Sequence, residues 1–279
     1  MGAFGKRGKA RVIPGFGLSM GITVSMVSLI VIVPMLSILV ILSGMSLADI
    51  WKAATERKVL AAYWVSLSAS FIAAVVNSVF GVILAWCLVR YKFPGRRLLD
   101  GFIELPFALP TAVAGIALTT LCLPDGWIGR LFTGFGISIS YTRIGITVAL
   151  IFIGIPFVVR SVQPVLEKLG PECEEAAQML GASKTRTFFK VIFPEIMPAA
   201  LTGFGLAFAR GLGEYGSVIF IAGNIPYKTQ IVPLLIMSKL EQFNYGDAAA
   251  IALVMILFSF FILFAINLAQ SKISKAEKG

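Results

Sequence analysis

The sequence predicts an all-α membrane protein with six transmembrane helices. Of its 279 residues, 58% are apolar and 14% are charged, and the mean hydropathy is +0.90. Soluble domains contain roughly 45–50% apolar residues. The charged residues gather in short stretches between apolar runs, and six of these runs have the ~20 residues that a helix needs to cross a bilayer. We therefore expect one transmembrane domain over residues 1–279.

The first apolar run follows a basic N-terminus and covers residues 12–42. It is longer than the apolar region of a signal peptide, and no A-x-A cleavage site follows it, so we expect an uncleaved first transmembrane helix. An even number of spans places both termini on one side of the membrane. The remaining predicted spans cover residues 61–89, 99–123, 144–162, 197–222 and 248–269.

The distribution of Lys and Arg predicts the orientation of these spans. Sixteen of these residues fall in the segments on the N-terminal side, and seven fall in the loops on the other side. Because cytoplasmic loops carry the excess of Lys and Arg, we expect both termini in the cytoplasm. The loop over residues 163–196, between the fourth and fifth spans, is then also cytoplasmic.

The composition excludes several classes of chemistry. The absence of histidine excludes Ser-His and Cys-His catalysis and zinc sites of the H-E-x-x-H type. Cys87, Cys122 and Cys173 are far apart, which is typical of small buried side chains rather than of a disulfide framework or zinc site. The chain has no GxxxxGK[ST] phosphate-binding loop. We expect no catalytic site, no metal, no cofactor bound by this chain and no nucleic-acid partner.

The polar loop over residues 163–196 has the signals of two short helices. Pro171 suits the start of a helix, and three glutamates follow it where carboxylates favour the positive end of the helix dipole. Gly181 can adopt the left-handed conformation that ends a helix. Ser183 can cap a second helix, and Pro194 then marks the start of the fifth span.

Polar residues within the predicted spans are candidates for a translocation path. Arg210 and Glu214 are four residues apart in the fifth span, so they share a helix face and can pair. Two interpretations of this pair stay open, an anion path or gate and a structural ion pair. Prolines in the third span break or kink it, as in transporter helices that border a substrate path, although packing alone also explains a kink. The candidates for the path or gate are Pro106, Pro110, Thr111, Arg210, Glu214, Tyr215 and Asn224.

The segment EAAQMLGASKTRTFFKVIFP, residues 175–194, resembles the EAA coupling loop of ABC importer permeases, which docks on an ATPase. It has the pattern Glu-Ala-Ala, three residues, Gly, nine residues, Val-x-Phe-Pro. Residues 90–118, 155–183 and 211–236 also resemble the sulfate/thiosulfate importer permeases, most closely their T-type subunits. The resemblance implies a type I ABC importer permease fold with cytoplasmic coupling helices.

The same resemblance implies the partners and the activity. Two ATP-binding subunits would hold ATP and Mg, a homologous W-type permease subunit would pair with this chain, and an extracytoplasmic sulfate/thiosulfate-binding protein would deliver the cargo. The chain would lie in the lipid of a bacterial-type cytoplasmic membrane and move sulfate or thiosulfate by alternating access, without hydrolysing ATP itself. The residues that would couple it to the ATPase are Glu174, Glu175, Ala176, Ala177, Gly181, Ala182 and Lys184.

Other functions remain open at this stage. Permeases for molybdate, tungstate or another oxyanion share the GEYG-like and AGNIP elements of this sequence. An autonomous secondary transporter or channel would move its substrate without an ATPase. A membrane-embedded enzyme is disfavoured by the absence of histidine and of any paired aspartate motif.

Overall fold

A computed structural model describes residues 16–276, with side chains up to residue 271 except that of residue 269. Within this range every regular element is a helix. Residues 12–15 of the first predicted span and the basic N-terminus lie outside the described residues, as do Lys278 and the side chains of Lys272 and Lys275. The helices are α1 (Phe16–Ser43), α2 (Leu47–Thr55), α3 (Arg57–Arg90), α4 (Arg96–Ala108), α5 (Thr111–Cys122), α6 (Trp127–Thr133), α7 (Arg143–Leu169), α8 (Glu172–Met179), α9 (Lys184–Leu212), α10 (Gly216–Ala222), α11 (Val232–Glu241) and α12 (Tyr245–Ala276).

The described residues contain five or six candidate spans, against six predicted from the sequence. Within residues 16–276, five helices are long and apolar enough to cross a membrane, namely α1, α3, α7, α9 and α12. The pair α4 and α5 makes a sixth span if it is counted as one bent unit. The fold class is therefore confirmed as an all-helical membrane domain.

Helices α3, α7 and α9 form the centre of the domain. Glycines let their backbones approach, because a Cβ added at Gly203 of α9 would lie 2.6 Å from Cα of Val158 in α7. A Cβ added at Gly81 of α3 would lie 2.7 Å from Cβ of the same valine. Small residues of this kind allow transmembrane helices to pack closely. The buried side chains around this contact include Leu88, Val162, Leu166, Ile196 and Phe208.

The first helix stands apart from this centre. None of the most apolar part of α1 is buried in the protein, so this helix presents its side chains to lipid or to another membrane subunit. Its buried residue Leu42 packs with Ala53 of α2 and with Ala249 and Ala250 of α12. The helix is continuous through a π-helical turn at Ser28–Ile32.

The third predicted span, 99–123, is broken in the structure. Helices α4 and α5 meet at an angle of 114° across Leu109 and Pro110. Leu109 has the extended ψ of 136°, which is the conformation that a following proline favours. Pro106 lies within α4, and the helix continues past it. The break is therefore at Pro110, not at both prolines.

The fifth predicted span, 197–222, also differs from the structure. Helix α9 begins at Lys184, passes Pro194 after a π-helical turn at Phe188–Ile192, and ends at Leu212. The separate short helix α10 follows after a break at Gly213. Pro194 lies in the first turn of the regular α-helical stretch that begins at Phe193, as expected, but the helix also extends back to Lys184 because the wider π turn accommodates a residue without an N–H group.

The loop 163–196 is correspondingly shorter than expected. Helix α7 continues to Leu169, beyond the predicted end of the fourth span at residue 162, although Pro164 lies within it. The turn Gly170–Pro171 leads into α8, and the second short helix, Lys184–Thr187, continues through the π turn into the rest of α9.

Candidate coupling surface and translocation site

Helix α8 and the turn after it have the geometry that the sequence predicts. The first turn of α8 carries Glu172, Glu174 and Glu175. Gly181 has φ +81°, its N–H donates to Gln178 O at 2.9 Å, and the N–H of residue 182 donates to the carbonyl of residue 177 at 3.0 Å. These two bonds form a Schellman motif, which needs a left-handed residue at the position of Gly181.

The start of α9 is fixed directly after this turn. The Oγ of Ser183 accepts a hydrogen bond from the N–H of Arg186 at 3.3 Å, so Ser183 caps the helix as expected. The two helices are thus held in a defined hairpin-like arrangement at the end of α7. Lys184, the first residue of α9, is exposed.

One face of this hairpin is open to a partner. Met179 and Leu180 at its tip are 88% and 89% exposed, and Glu175 and Ala176 are exposed beside them. Large apolar side chains exposed this fully are typical of a contact surface. Gly181 is exposed as well, whereas Ala177 and Ala182 are half-buried. We call Glu175, Ala176, Met179 and Leu180 the coupling face.

Glu174 points away from the coupling face. Its Oε1 accepts a hydrogen bond from Nε of Arg90 at 2.6 Å, and its side chain is 21% exposed. Glu174 was predicted to couple the chain to the ATPase, whereas its carboxylate binds Arg90 at the end of α3.

The two broken spans meet at their breaks. A Cβ added at Gly216, the first residue of α10, would collide with Oγ1 of Thr111, the first residue of α5. One turn further, a Cβ added at Gly115 would lie 2.6 Å from Ser217 O. The backbones of α5 and α10 are therefore in contact, and the first turns of both half-helices lie side by side.

Arg210 and Glu214 lie beside this junction and form the predicted pair. Nη1 of Arg210 is 2.5 Å from Oε2 of Glu214, but α9 has ended at Leu212, so the pair does not lie on one helix face as predicted. Oε1 of Glu214 accepts hydrogen bonds from N and Oγ of Ser217, at 2.8 and 3.0 Å. The side chain of Glu214 is 2% exposed and that of Arg210 is 38% exposed. Glu214 therefore joins the two sides of the break, while Arg210 is partly open.

The other path candidates are distributed around the junction or away from it. Pro110 and Tyr215 immediately precede the two half-helices, and Tyr215 lines an apolar cavity of about 370 Å³ between the break and helices α11 and α12. Pro106 is one turn before the bend. Asn224 lies in the loop between α10 and α11, and its backbone is left-handed, with φ +48°. Its Oδ1 accepts a hydrogen bond from Nε2 of Gln230, which holds this loop in place.

The structure adds a charged cluster that the sequence analysis did not find. Nη2 of Arg160 in α7 is 2.9 Å from Oδ1 of Asp100 and 2.7 Å from Oε1 of Glu104, both on α4. Arg160 was predicted to lie just before the polar loop, but α7 extends beyond it by two and a half turns. The sequence did contain a signal for this cluster, because an arginine at the end of a long apolar run needs a charged or polar partner. Within residues 16–276, no group of acidic or cysteine side chains has the arrangement of a metal site.

Comparisons with known proteins agree with this architecture. Residues 77–276 match the family described as "Binding-protein-dependent transport system inner membrane component". The sulfate transport system permease protein CysT of Salmonella typhimurium is 50% identical over 96% of this chain and 97% of its own length. The protein of the same name from Escherichia coli is 49% identical over the same shares.

A solved structure confirms the fold at low sequence identity. The bacterial alginate ABC transporter, in complex with an alginate-bound periplasmic protein, contains a chain that superposes with a TM-score of 0.77. The two chains are 16% identical, and the match covers 92% of this chain and 94% of the other. The resemblance to type I importer permeases is thereby confirmed. The chain belongs to the family of inner membrane components of binding-protein-dependent transport systems.

Proposed function

We propose that this chain is a transmembrane subunit of an ATP-driven importer that carries sulfate or thiosulfate across the cytoplasmic membrane. The observation that supports ATP coupling is the coupling face, an exposed surface beyond the end of α7 with Met179 and Leu180 at its tip and a hydrogen-bonded turn after it. The cargo is supported by the 50% identity with a sulfate transport system permease over 96% of the chain.

The proposed complex has two ATP-binding subunits, a second permease of the W type and an extracytoplasmic binding protein. ATP and Mg belong to the ATP-binding subunits, since this sequence has no phosphate-binding loop. The excess of Lys and Arg on one side supports cytoplasmic termini, and in that orientation the coupling face would lie on the same side of the membrane as the ATP-binding subunits. The residues proposed to contact them are the exposed Met179 and Leu180 at the tip of the coupling face, together with Glu175, Ala176, Ala177, Gly181, Ala182 and Lys184.

The translocation path is proposed to run past the junction of α5 and α10 and along α4. Asp100 and Glu104 are 41% and 59% exposed although they lie within the predicted third span, and charged side chains inside a membrane avoid lipid. The exposed face of α4 therefore lies against a second subunit or a water-filled path. Alternating access requires that ATP and the binding protein each favour one of two states of this path.

Reconstitution tests this function. The complex is purified through an affinity tag on this chain and placed in proteoliposomes with ATP inside, and uptake of labelled sulfate is measured with and without the binding protein. We expect uptake that needs both ATP and the binding protein and that a large excess of molybdate leaves unchanged. If excess molybdate abolishes the uptake of labelled sulfate, the proposed cargo is wrong. Uptake by this chain alone would contradict the ATP-driven mechanism.

The left-handed turn at Gly181 leads to a first prediction. A Cβ at this position meets no atom of this chain within 4 Å, so within the chain a substitution acts through backbone conformation. For a residue with a Cβ this conformation costs about 1–2 kcal/mol, or a factor of roughly 5–30 in an equilibrium. We expect Gly181→Val to leave membrane insertion intact and to lower sulfate uptake per ATP hydrolysed about tenfold. Gly181→Asn is the matched control, because asparagine tolerates this conformation. Uptake in Gly181→Val equal to wild type would refute the prediction.

A further inference from the structure

Arg90, the last residue of α3, uses all three guanidinium nitrogens on two other helices and the turn between them. Its Nε donates to Oε1 of Glu174 in α8 at 2.6 Å. Its Nη1 donates to Leu166 O in the last turn of α7 at 3.2 Å, and its Nη2 donates to Gly170 O at 2.9 Å. The side chain is only 13% exposed, and its Cζ lies 5.6 Å from the ring centroid of Trp86.

These contacts connect a lightly packed helix to the most tightly packed part of the domain. Helix α8 has no buried residue, so burial contributes little to holding it in place. Helices α3 and α7, in contrast, form the central core with Leu88, Val162 and Leu166 fully buried. The carbonyl groups of Leu166 and Gly170 lie at the C-terminal end of α7, where helix carbonyls lack partners in the helix and a cation is favoured.

We propose that Arg90 is the positioning residue that makes α8 move together with α3 and α7. A displacement of the coupling face by an ATPase then moves the membrane helices, instead of only tilting α8 about Gly170. This inference rests on the proposed function, because it concerns how that motion reaches the membrane domain. Arg90 touches no cargo in this scheme and acts through Glu174.

Arginine is suited to this role where lysine is not. Its planar guanidinium group presents several donors in fixed directions, so it can bind one carboxylate and two carbonyl groups at once. The ammonium group of lysine is a single nitrogen, and it cannot occupy the positions of Nε, Nη1 and Nη2 together. Arg90→Lys therefore keeps the charge while losing part of the connection.

The test compares Arg90→Gln, Arg90→Lys and Glu174→Gln in the complete reconstituted complex. ATP hydrolysis stimulated by the binding protein and sulfate uptake are measured on the same proteoliposomes. We expect assembly and ATP hydrolysis to persist in Arg90→Gln and Glu174→Gln, with uptake per ATP at least about fivefold lower, and an intermediate loss in Arg90→Lys. Lys92→Gln, which removes an exposed positive charge two residues after Arg90 in the connection between α3 and α4, is the matched control and should keep the wild-type ratio.

The ratio of uptake to hydrolysis separates positioning from simple support of the fold. A purely structural contact would lower the amount of complex and would reduce uptake and hydrolysis together. Wild-type uptake per ATP in Glu174→Gln, or failure of both neutral variants to assemble, would overturn the inference. Absence of ATP-dependent uptake in the wild-type complex would instead contradict the proposed function.

Discussion

Replacing Glu214 by leucine is expected to reduce the amount of this protein in the membrane to a small fraction of the wild-type amount. The carboxylate is 2% exposed, pairs with Arg210 and accepts two hydrogen bonds from Ser217, which is fully buried. Loss of one partner of a buried ion pair costs about 3–5 kcal/mol. We expect the low end of this range, because Arg210 is 38% exposed and its charge is partly solvated. Domains have only about 5–15 kcal/mol of stability, so even this loss lowers abundance strongly.

Two further substitutions at this pair separate the ion pair from the helix cap. Glu214→Gln keeps an acceptor for Ser217 and removes only the charge, so its loss of abundance should be smaller than that of Glu214→Leu. Arg210→Met leaves the buried carboxylate without its cation, whereas Arg210→Met combined with Glu214→Gln leaves no unpaired charge. We therefore expect the double variant to be more abundant than Arg210→Met alone.

Abundance and uptake are measured together on this series, by quantitative blotting of membranes and by uptake of labelled sulfate. If Arg210 faces the path, the double variant should recover abundance without recovering uptake. Recovery of both quantities would assign a structural role to the pair. Normal abundance of Glu214→Leu would contradict the burial argument altogether.

Local signals in the sequence were sufficient for the turn after α8. Three acidic residues, a glycine and a serine at the right spacing specify a helix start, a left-handed stop and a second cap. These interactions involve residues at most five positions apart, so they depend little on the remaining fold. Gly181 and Ser183 therefore have the predicted conformation and hydrogen bond.

Local signals in the sequence were not sufficient to predict the breaks in the third and fifth spans. Hydropathy measures the length of an apolar run, but it carries no information about the direction of the backbone within it. A kink at Pro110 was predictable, since proline restricts the preceding residue. The angle of 114° could not be predicted in this way, because it depends on the contact of α5 with α10, about 100 residues further along the chain.

Long-range ion pairs were the hardest features to predict. Arg160 pairs with residues 56 and 60 positions before it, and Arg90 with a residue 84 positions after it. In the sequence, both arginines have the appearance of ordinary cytoplasmic charges. Only the packing of α3, α4 and α7 brings carboxylates and free carbonyl groups to them. The predicted path candidates near Thr111 and Glu214 do come together, whereas Asn224 belongs to a different loop.

The contact between α5 and α10 should tolerate no added atoms. A Cβ at Gly115 would lie 2.6 Å from Ser217 O and 2.8 Å from Ser217 Cα, both of them backbone atoms that cannot move aside as a side chain does. The half-helices must then separate, which displaces Thr111 and the first turn of α10. Overpacking of this kind costs about 1–3 kcal/mol. We expect Gly115→Ala to lower sulfate uptake about tenfold, in keeping with a cost in the middle of that range, and Gly115→Val to lower it further.

Gly21 on α1 provides the matched control for this prediction. It is exposed, and a Cβ added to it meets nothing within 4 Å. Alanine in a helix is more stable than glycine by about 0.5–1 kcal/mol, so Gly21→Ala should leave abundance and uptake at least at wild-type levels. The same chemical change is thus expected to have opposite effects at these two positions, because Gly115 is in backbone contact with α10 and Gly21 meets no neighbouring atom. Equal uptake in Gly21→Ala and Gly115→Ala would show that the two half-helices can separate without consequence for transport, and would contradict the proposal that the junction is part of the path.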